Sequence, residues 1–180
     1  MNFIKTEIEG LYELRPRIFE DERGLFFESY SKKVFEENGL NLNFVQDNQS
    51  FSIKGVLRGL HFQRSPHAQG KLISVVKGSV LDVAVDLRKD SSTFGKYLLF
   101  EVNDKLKNMV YIPEGFAHGF LALEDTIFCY KCTSSYNKGA EGGLIWNDPD
   151  LNIDWGISDP IVSSKDLELP TLKDYINTLN

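Results

Sequence analysis

The sequence predicts an all-β protein, an antiparallel sandwich or barrel with a few short helices. At least eight short apolar segments, rich in β-branched and aromatic residues, are separated by turn residues at steady spacing. Several of these segments alternate apolar and polar residues, which is the period of a strand with one buried face. Only residues 31–39 and 163–177 have the spacing of short helices. Together these observations favour an antiparallel all-β fold.

Length, composition and charge limit the classes of protein to consider. A chain of 180 residues with 42% apolar residues is most simply one domain, residues 1–180, with a packed core. The formal net charge of −6 argues against a nucleic acid or an anionic membrane surface as a partner. No apolar run approaches the ~20 residues that span a bilayer, and residues 1–10 are mixed polar and acidic, so no signal peptide is expected. We therefore expect a cytoplasmic protein that binds neither nucleic acid nor membranes.

Cys129 and Cys132 are the only cysteines, and their C-x-x-C spacing can indicate a redox or zinc site. The residues around them alternate as in a strand, and positions three apart on a strand face opposite sides. We interpret them as two unrelated thiols in a reducing compartment, with a zinc site or a disulfide as the alternative.

The N-terminal part of the chain is predicted to form short strands followed by one helix. Residues 3–19 alternate apolar and polar side chains, which indicates short strands. Residues 21–24 form a turn, and residues 25–30 a further strand. The segment 31–39 begins with serine and ends with glycine around two apolar residues, which is typical of a short helix.

A polar run at residues 44–50 contains Gln46 and Asn48. The two residues are two positions apart, so a strand would point both side chains the same way. This arrangement suits hydrogen bonding to a ligand, and it equally suits an edge that faces solvent.

Residues 55–78, bounded by two glycines, are predicted to form a strand, a loop, a second strand and a turn. Their spacing resembles the first motif of the cupin superfamily, whose members are jelly-roll barrels. Gly55 and His61 match that motif. Where cupin metal sites have a second histidine and a glutamate, this chain has Gln63 and Lys71.

The two replacements change the chemistry of such a pocket. A divalent cation needs imidazoles and a carboxylate, whereas glutamine is a poor ligand and an ammonium repels metals and attracts anions. We therefore predict no metal, and a pocket in which His61 acts as an acid or base beside the charge of Lys71. The alternative is that His61 is a hydrogen-bonded core histidine and that Lys71 lies on the surface.

Residues 80–87 give the clearest pattern of a half-buried strand. Four apolar residues alternate with Asp82, Ala84 and Asp86, so the aspartates are expected on the exposed face. Further strands are predicted at residues 96–102, 108–112 and 126–133, followed by a glycine-rich loop at 139–143. The C-terminal segment at 163–177 has helical spacing that is interrupted at Pro170.

Pro113, Gly115 and His118 fit the second cupin motif, whose final asparagine is replaced here by Ala122. Two histidines rarely hold a metal without a third protein ligand, so this motif also favours a metal-free site.

Several segments, taken together and in order, resemble the dTDP-4-dehydrorhamnose 3,5-epimerase family over essentially the whole chain. They are F-x-D-x-R-G-x-F-x-E-S-Y at 19–30, F-V-Q-D-N at 44–48, R-G-L-H-F-Q at 58–63, Q-G-K at 69–71 and I-P-E-G-F-A-H-G-F at 112–120. The resemblance implies a cupin-type jelly roll and an isomerase that uses no cofactor. It implies conversion of dTDP-4-dehydro-6-deoxy-D-glucose to dTDP-4-dehydro-L-rhamnose, a step towards dTDP-L-rhamnose for surface polysaccharides.

The resemblance also implies catalytic roles for four residues. His61 would be the base, since an imidazole is largely neutral at pH 7, and Asp166 would orient it. Lys71 would stabilise the enolate, and Tyr130 would be the acid on the opposite face of the sugar. From spacing alone, Asp166 could instead begin a helix, and Tyr130 could be a core aromatic.

The substrate-binding roles implied by the resemblance fall to nine residues, and Tyr136 among them would stack on thymine. Two of the nine, Arg23 and Glu28, would come from a partner subunit through strand exchange, so a homodimer is expected. The nine residues are Arg23, Glu28, Gln46, Asn48, Arg58, His118, Tyr136, Glu141 and Lys165.

Three alternative functions remain compatible with the sequence. A close relative could epimerise only C3 or only C5 with the same base and acid. A metal-dependent cupin oxygenase would need a bound metal. A non-catalytic sugar-binding cupin would not need His61 for its function.

Overall fold

The computed structural model describes residues 1–179, most of which lie in or between short β-strands. The strands are β1 (Asn2–Lys5), β2 (Tyr12–Arg15), β3 (Ile18–Asp21), β4 (Gly24–Phe27), β5 (Gln46–Ser52), β6 (Val56–Gln63), β7 (Lys71–Lys77), β8 (Ser79–Asp86), β9 (Tyr97–Asn103), β10 (Met109–Ile112), β11 (Phe116–Ala122), β12 (Thr126–Cys132), β13 (Glu141–Gly143) and β14 (Ile161–Val162).

The strands form two large sheets and one separate hairpin. The first sheet has the order β1-β2-β10-β7-β12-β5, and the second has the order β13-β6-β11-β8-β9 with β14 beside β6. All pairs are antiparallel except that between β14 and β6. The hairpin of β3 and β4 pairs with neither sheet. The predicted all-β class is confirmed, and the two antiparallel sheets are consistent with a jelly roll.

The helices of the described region are few and short, as the sequence predicts. Helix α1 spans Lys32–Glu37, α2 spans Ser164–Leu167 and α3 spans Leu172–Asn177, and a 3-10 turn covers Lys138–Ala140. Pro170 lies between the last two helices, where the predicted interruption falls. No helix within residues 1–179 is long and apolar enough to cross a membrane.

Apolar side chains of both sheets meet in a common core between them. The cluster includes Ile73 of β7, Ala84 of β8, Phe120 of β11 and Phe128 of β12, all of which are buried. Because these side chains come from facing strands, burial of each large one, Ile73, Phe120 and Phe128, favours the sandwich by roughly 1.5–3 kcal/mol.

The outer faces of the sheets are covered as well. Helix α1 places Phe35 over the first sheet, where it packs near Leu14 and Met109. The C-terminal segment places Leu151 and Trp155 over the second sheet. Each sheet is therefore buried on both faces over much of its area.

This covering corrects the prediction that residues 80–87 form a half-buried strand. Strand β8 is buried on both faces, and Asp82 and Asp86 have no exposed surface. Val83 and Val85 point towards the C-terminal segment, whereas Ala84 points into the core between the sheets. The alternation reflects two different buried environments, which local periodicity does not distinguish from one buried and one exposed face.

Some predicted boundaries also change. The strand expected at residues 25–30 is observed only as Gly24–Phe27, and part of the glycine-rich loop at 139–143 is the strand β13. Cys129 and Cys132 are free thiols on β12, half-buried and buried respectively.

The buried carboxylate of Asp86 ties the loop after β8 to the barrel. Arg88 Nη2 donates to Asp86 Oδ2 at 2.7 Å, and the hydroxyls of Ser91 and Thr93 donate to the same oxygen at 2.6 and 2.7 Å. Burial by itself raises the pKa of Asp86, but these hydrogen bonds outweigh it and bring the pKa to about 2. The charged form is therefore the one that stabilises the fold.

We expect Asp86→Asn to lower the free energy of unfolding at pH 7 by on the order of 2 kcal/mol. Because the folded pKa is depressed, this contribution is fully present above the unfolded pKa near 4 and is lost as the pH falls towards 2. The difference from wild type should therefore shrink by roughly half at pH 3. Urea denaturation between pH 7 and pH 3 measures it, and Asp90→Asn, an exposed aspartate in the same loop, is the matched control. Equal stability of the two variants at pH 7 would contradict a stabilising role for the Asp86 carboxylate.

Candidate active site

A cavity of about 800 Å³ is lined by strands of both large sheets and by the segment from β14 to α2. This volume lies within the range of small-molecule sites. All four predicted catalytic residues line it, namely His61, Lys71, Tyr130 and Asp166. Four of the predicted binding residues line it as well, namely Asn48, Arg58, His118 and Lys165.

His61, which is half-buried, and Asp166, which is buried, form a hydrogen-bonded pair. His61 Nε2 lies 2.7 Å from Asp166 Oδ1, and Asp166 is only 4% exposed. Since a carboxylate accepts, Nε2–H donates to it, which leaves the lone pair on Nδ1. Asp166 is in the first turn of α2, where its main-chain N–H donates to the capping hydroxyl of Ser163 at 3.1 Å. Asp166 therefore lies in the first turn of a helix and also contacts His61, and its role in orienting the ring stays a prediction.

Two glycines allow the strands beneath this pair to approach closely. A Cβ atom at Gly59 would lie 2.5 Å from Gly119 Cα, and Gly59 has a φ of +129°. Both features exclude a larger side chain. The main-chain N–H of Gly59 donates to Asp166 Oδ2 at 3.3 Å, so the second carboxylate oxygen also has a partner. This close contact of β6 and β11 fixes the backbone next to His61.

Burial controls the protonation of His61. It lowers the pKa of His61 below its ordinary value, an effect that Asp166 opposes and that Lys71 and His118 reinforce. The ring is therefore neutral at pH 7, which is the state a general base needs.

Lys71 lies at the start of β7 and is half-buried, so the alternative that it is a surface residue is wrong. Its Nζ is 3.5 Å from the main-chain oxygen of His61. Burial lowers the pKa of Lys71, while Cys132 and Asp82 oppose that shift. In its protonated form Lys71 provides a site in the cavity for an anionic oxygen.

Asp82 was not predicted as a site residue, yet it makes a second carboxylate–imidazole pair. His118 Nε2 lies 2.7 Å from Asp82 Oδ2. The other carboxylate oxygen of Asp82, Oδ1, is buried and has no hydrogen-bond partner among the described residues. Burial raises the pKa of Asp82, and both His118 and Lys71 oppose that shift. An aspartate between apolar residues in a long strand was the available signal, but it was interpreted as an exposed face.

Tyr130 faces the cavity from β12 beside an aromatic wall. Its ring centroid lies 6.0 Å from that of Phe128, which stacks on Phe120 at 4.2 Å. Burial raises the pKa of Tyr130, with Cys132 adding to the shift and Arg58 opposing it. The phenol is therefore protonated at neutral pH and able to donate a proton.

A smaller cavity of about 110 Å³ shares His61, Lys71 and Tyr130 with the larger one and is also lined by Tyr136 and Glu141. The hydroxyl of Tyr136 donates to Glu141 Oε2 at 3.2 Å, and Lys165 Nζ lies 2.8 Å from the same oxygen. The hydrogen bond from Lys165 lowers the pKa of Glu141.

Gln46 lines neither of these two cavities, but it is connected to residues that do. Its Nε2 donates to Asn48 Oδ1 at 2.9 Å, and its Oε1 accepts from the main-chain N–H of Tyr136 at 2.8 Å. The predicted common orientation of Gln46 and Asn48 is consistent with this bond.

Arg23 and Glu28 lie outside both cavities. Arg23 is on the β3–β4 hairpin and makes an exposed ion pair with Asp21 at 2.6 Å. Glu28 follows β4 and is exposed. The expectation that a partner subunit supplies these two residues stays a prediction.

Among residues 1–179, no group of three or more histidine, cysteine, aspartate or glutamate side chains is arranged to hold a metal ion. Gln63 and Lys71 occupy the positions at which the cupin motif has its second histidine and its glutamate.

Comparison with known proteins gives one consistent result. A profile of the dTDP-4-dehydrorhamnose 3,5-epimerase family matches residues 5–174. The enzyme of that name from Shigella flexneri is 52% identical over 169 residues, which is 93% of each chain. The crystal structure of the enzyme from Elizabethkingia anophelis has 51% identity and a TM-score of 0.93 over 97% of each chain.

A further solved structure contains a ligand. The 3,5-epimerase of Legionella pneumophila, in complex with dTDP-4-keto-L-rhamnose, is 46% identical with a TM-score of 0.91 over 96% of this chain and 93% of that one. The matches extend over nearly the full length of each relative. The chain therefore belongs to the dTDP-4-dehydrorhamnose 3,5-epimerase family of isomerases.

Proposed function

We propose that this protein is a cofactor-independent epimerase that inverts C3 and C5 of dTDP-4-dehydro-6-deoxy-D-glucose to give dTDP-4-dehydro-L-rhamnose. The observation that carries the proposal is the His61–Asp166 hydrogen bond in a cavity shared with Lys71 and Tyr130. The ligand of the Legionella relative, dTDP-4-keto-L-rhamnose, supports the identity of the product.

His61 acts as the base in this mechanism. The ketone at C4 acidifies the protons at C3 and C5, so a neutral imidazole can remove each of them in turn. Asp166 accepts from Nε2–H and stabilises the imidazolium that forms when Nδ1 takes the proton. Desolvation keeps the ring neutral before the reaction, and the carboxylate limits the cost of charging it.

Lys71 and Tyr130 complete the two proton transfers. Removal of a proton places negative charge on the C4 oxygen, which the Lys71 ammonium stabilises. Tyr130 donates its phenolic proton to the enolate carbon from the face opposite His61, and the configuration inverts. Solvent then takes the proton from His61 and returns one to Tyr130, so that both groups are restored before the second centre reacts. The raised pKa of Tyr130 keeps that proton available at neutral pH.

The remaining residues bind the nucleotide and the sugar. Arg58 and Lys165 supply cations for the diphosphate, and Asn48, His118 and Glu141 supply hydrogen bonds. Tyr136, whose ring is 55% exposed at the smaller cavity, stacks on the thymine base.

The β3–β4 hairpin is the element exchanged in a homodimer. Phe19, Leu25 and Phe26 are exposed on it by 50%, 49% and 70%, and an apolar surface of this kind favours contact with another chain. Exchange would bring Arg23 and Glu28 of each chain to the cavity of the other.

Deuterium incorporation tests the proposed chemistry. In deuterated water, wild-type protein should incorporate deuterium at both C3 and C5 of the substrate, observed by proton NMR. His61→Ala should slow both exchanges by at least ~10²-fold, while circular dichroism shows that the fold is retained.

The Tyr130→Phe variant should still exchange the substrate protons for deuterium, because His61 can return deuterium to the face that it deprotonates. The amount of inverted product that this variant forms should fall. Exchange at one centre only would indicate a single-centre epimerase, and full activity of His61→Ala would exclude this mechanism.

The pH profile tests the pairing of His61 with Asp166. Wild-type kcat/KM should fall on the acid side below pH 6.5, as His61 becomes protonated. Asp166→Asn should reduce kcat/KM by on the order of 10²- to 10⁴-fold. It should also move the acid limb to lower pH, because Asp166 raises the pKa of His61. The exposed Asp159→Asn is the matched control, and an acid limb that stays in place would contradict the assignment.

Hairpin exchange predicts a dimer whose activity depends on Phe26. Phe26→Asp places a charge on the most exposed apolar residue of the hairpin, so light scattering should show a monomer. The KM of this monomer for the sugar nucleotide should be raised in steady-state kinetics. Leu106→Asp is the matched control, since Leu106 is 55% exposed but lies in the turn between β9 and β10. A monomeric wild type, or a dimer unaffected by Phe26→Asp, would contradict hairpin exchange.

A further inference from the structure

The loop that presents Tyr136 is held in place by side-chain amides. We call residues 134–137 the stacking loop; it connects β12 to the 3-10 turn. Within the described part of the chain, residues 134–136 make no hydrogen bond to another main-chain group. A loop without such bonds is ordinarily mobile unless side chains replace them.

Gln63 uses both polar atoms of its amide on this loop and its neighbourhood. Its Oε1 accepts from the main-chain N–H of Asn137 at 2.7 Å. Its Nε2 donates to the carbonyl oxygens of His67 and Ser135, at 2.7 and 3.3 Å. The residue is only 7% exposed, so little solvent is available to replace these bonds.

Two more glutamines hold the rest of the loop. Gln69 Nε2 donates to the carbonyl oxygen of Ser134 at 2.7 Å. Gln46 Oε1 accepts from the main-chain N–H of Tyr136 at 2.8 Å. Each residue of the stacking loop therefore has one main-chain group bonded to a glutamine.

Gln63 also lies beside the residue that contacts the Tyr136 ring. Glu141 of β13 is paired in register with Gln63 of β6, and Glu141 accepts from the Tyr136 hydroxyl at 3.2 Å. Through its amide, Gln63 therefore holds Ser135 and Asn137, the residues on either side of Tyr136. It is also the strand partner of Glu141, which accepts from the Tyr136 hydroxyl.

We propose that Gln63 and Gln69 are positioning residues that hold the stacking loop so that Tyr136 is preorganised for the nucleoside base. The proposal rests on the proposed function, in which Tyr136 stacks on thymine. A ring fixed before binding loses less conformational freedom when the nucleotide arrives, so the glutamines strengthen binding without touching the reacting carbons.

The variants Gln63→Met and Gln69→Met remove the amides at similar side-chain length. We expect each to weaken binding of dTDP, measured by isothermal titration calorimetry, by about ten-fold. KM for the sugar nucleotide should rise in parallel, and kcat at saturation should stay within about two-fold. Gln69→Met, which breaks one hydrogen bond at a half-buried position, keeps the test open if Gln63→Met fails to fold.

A double-mutant cycle with Tyr136→Ala separates positioning from general stability. With the ring removed, Gln63→Met should have little further effect on the Kd for dTDP. Asn108→Leu is the matched control, because Asn108 is a buried amide that bonds main-chain groups of residues 101 and 103, away from both cavities. It should lower stability and leave the Kd unchanged.

Any one of three results would overturn the proposal. The first is an unchanged Kd for dTDP in both folded glutamine variants, and the second is an equal effect of Gln63→Met on that Kd with and without the Tyr136 ring. The third is a fall in kcat at unchanged Kd. Wild-type protein that binds no dTDP and catalyses no exchange would instead overturn the proposed function itself.

Discussion

The hydrogen bond between His61 and Asp166 joins two parts of the chain that are 105 positions apart. A carboxylate that is 4% exposed must have partners, and Asp166 finds them in the His61 ring and the N–H of Gly59. The segment that delivers Asp166 follows the one that covers the outer face of the second sheet with Leu151 and Trp155. The C-terminal region therefore both covers the second sheet and supplies the carboxylate that bonds His61.

His61, His118 and Lys71 line the cavity, each histidine is hydrogen-bonded to a buried aspartate, and burial acts on these groups in opposite senses. It lowers the pKa of His61 and Lys71 and raises that of Asp82. Each carboxylate is bonded to an imidazole, so the two negative charges are held close to groups that can share a proton. The result is a neutral imidazole beside a lysine in a partly desolvated site, an arrangement that suits proton removal next to a carbonyl group.

Local pattern in the sequence predicts the strands, the short helices and the interruption at Pro170, because each depends on neighbouring residues. It does not predict which buried environment a strand face meets, and this is why Asp82 was placed on an exposed face. Its partner His118 lies on β11, and only the register between the strands brings the two together. Asp166 and Tyr130 were identified through family resemblance, since spacing alone permits a helix start and a core aromatic.

Gln63 and Lys71 stand at two metal-ligand positions of the cupin motif. Their side chains suit the proposed acid–base chemistry on an organic substrate better than they suit metal binding. Lys71 carries its own positive charge into the cavity, where a metal-binding cupin would rely on a bound cation. Gln63 does not simply leave a ligand position empty, because its amide bonds Asn137 and Ser135 of the loop that carries Tyr136. Restoring a histidine at position 63 would therefore release that loop as well as add an imidazole. In the proposed mechanism Lys71 stabilises charge, while Gln63 bonds the loop that carries Tyr136. Reversing either replacement would then be expected to impair the site.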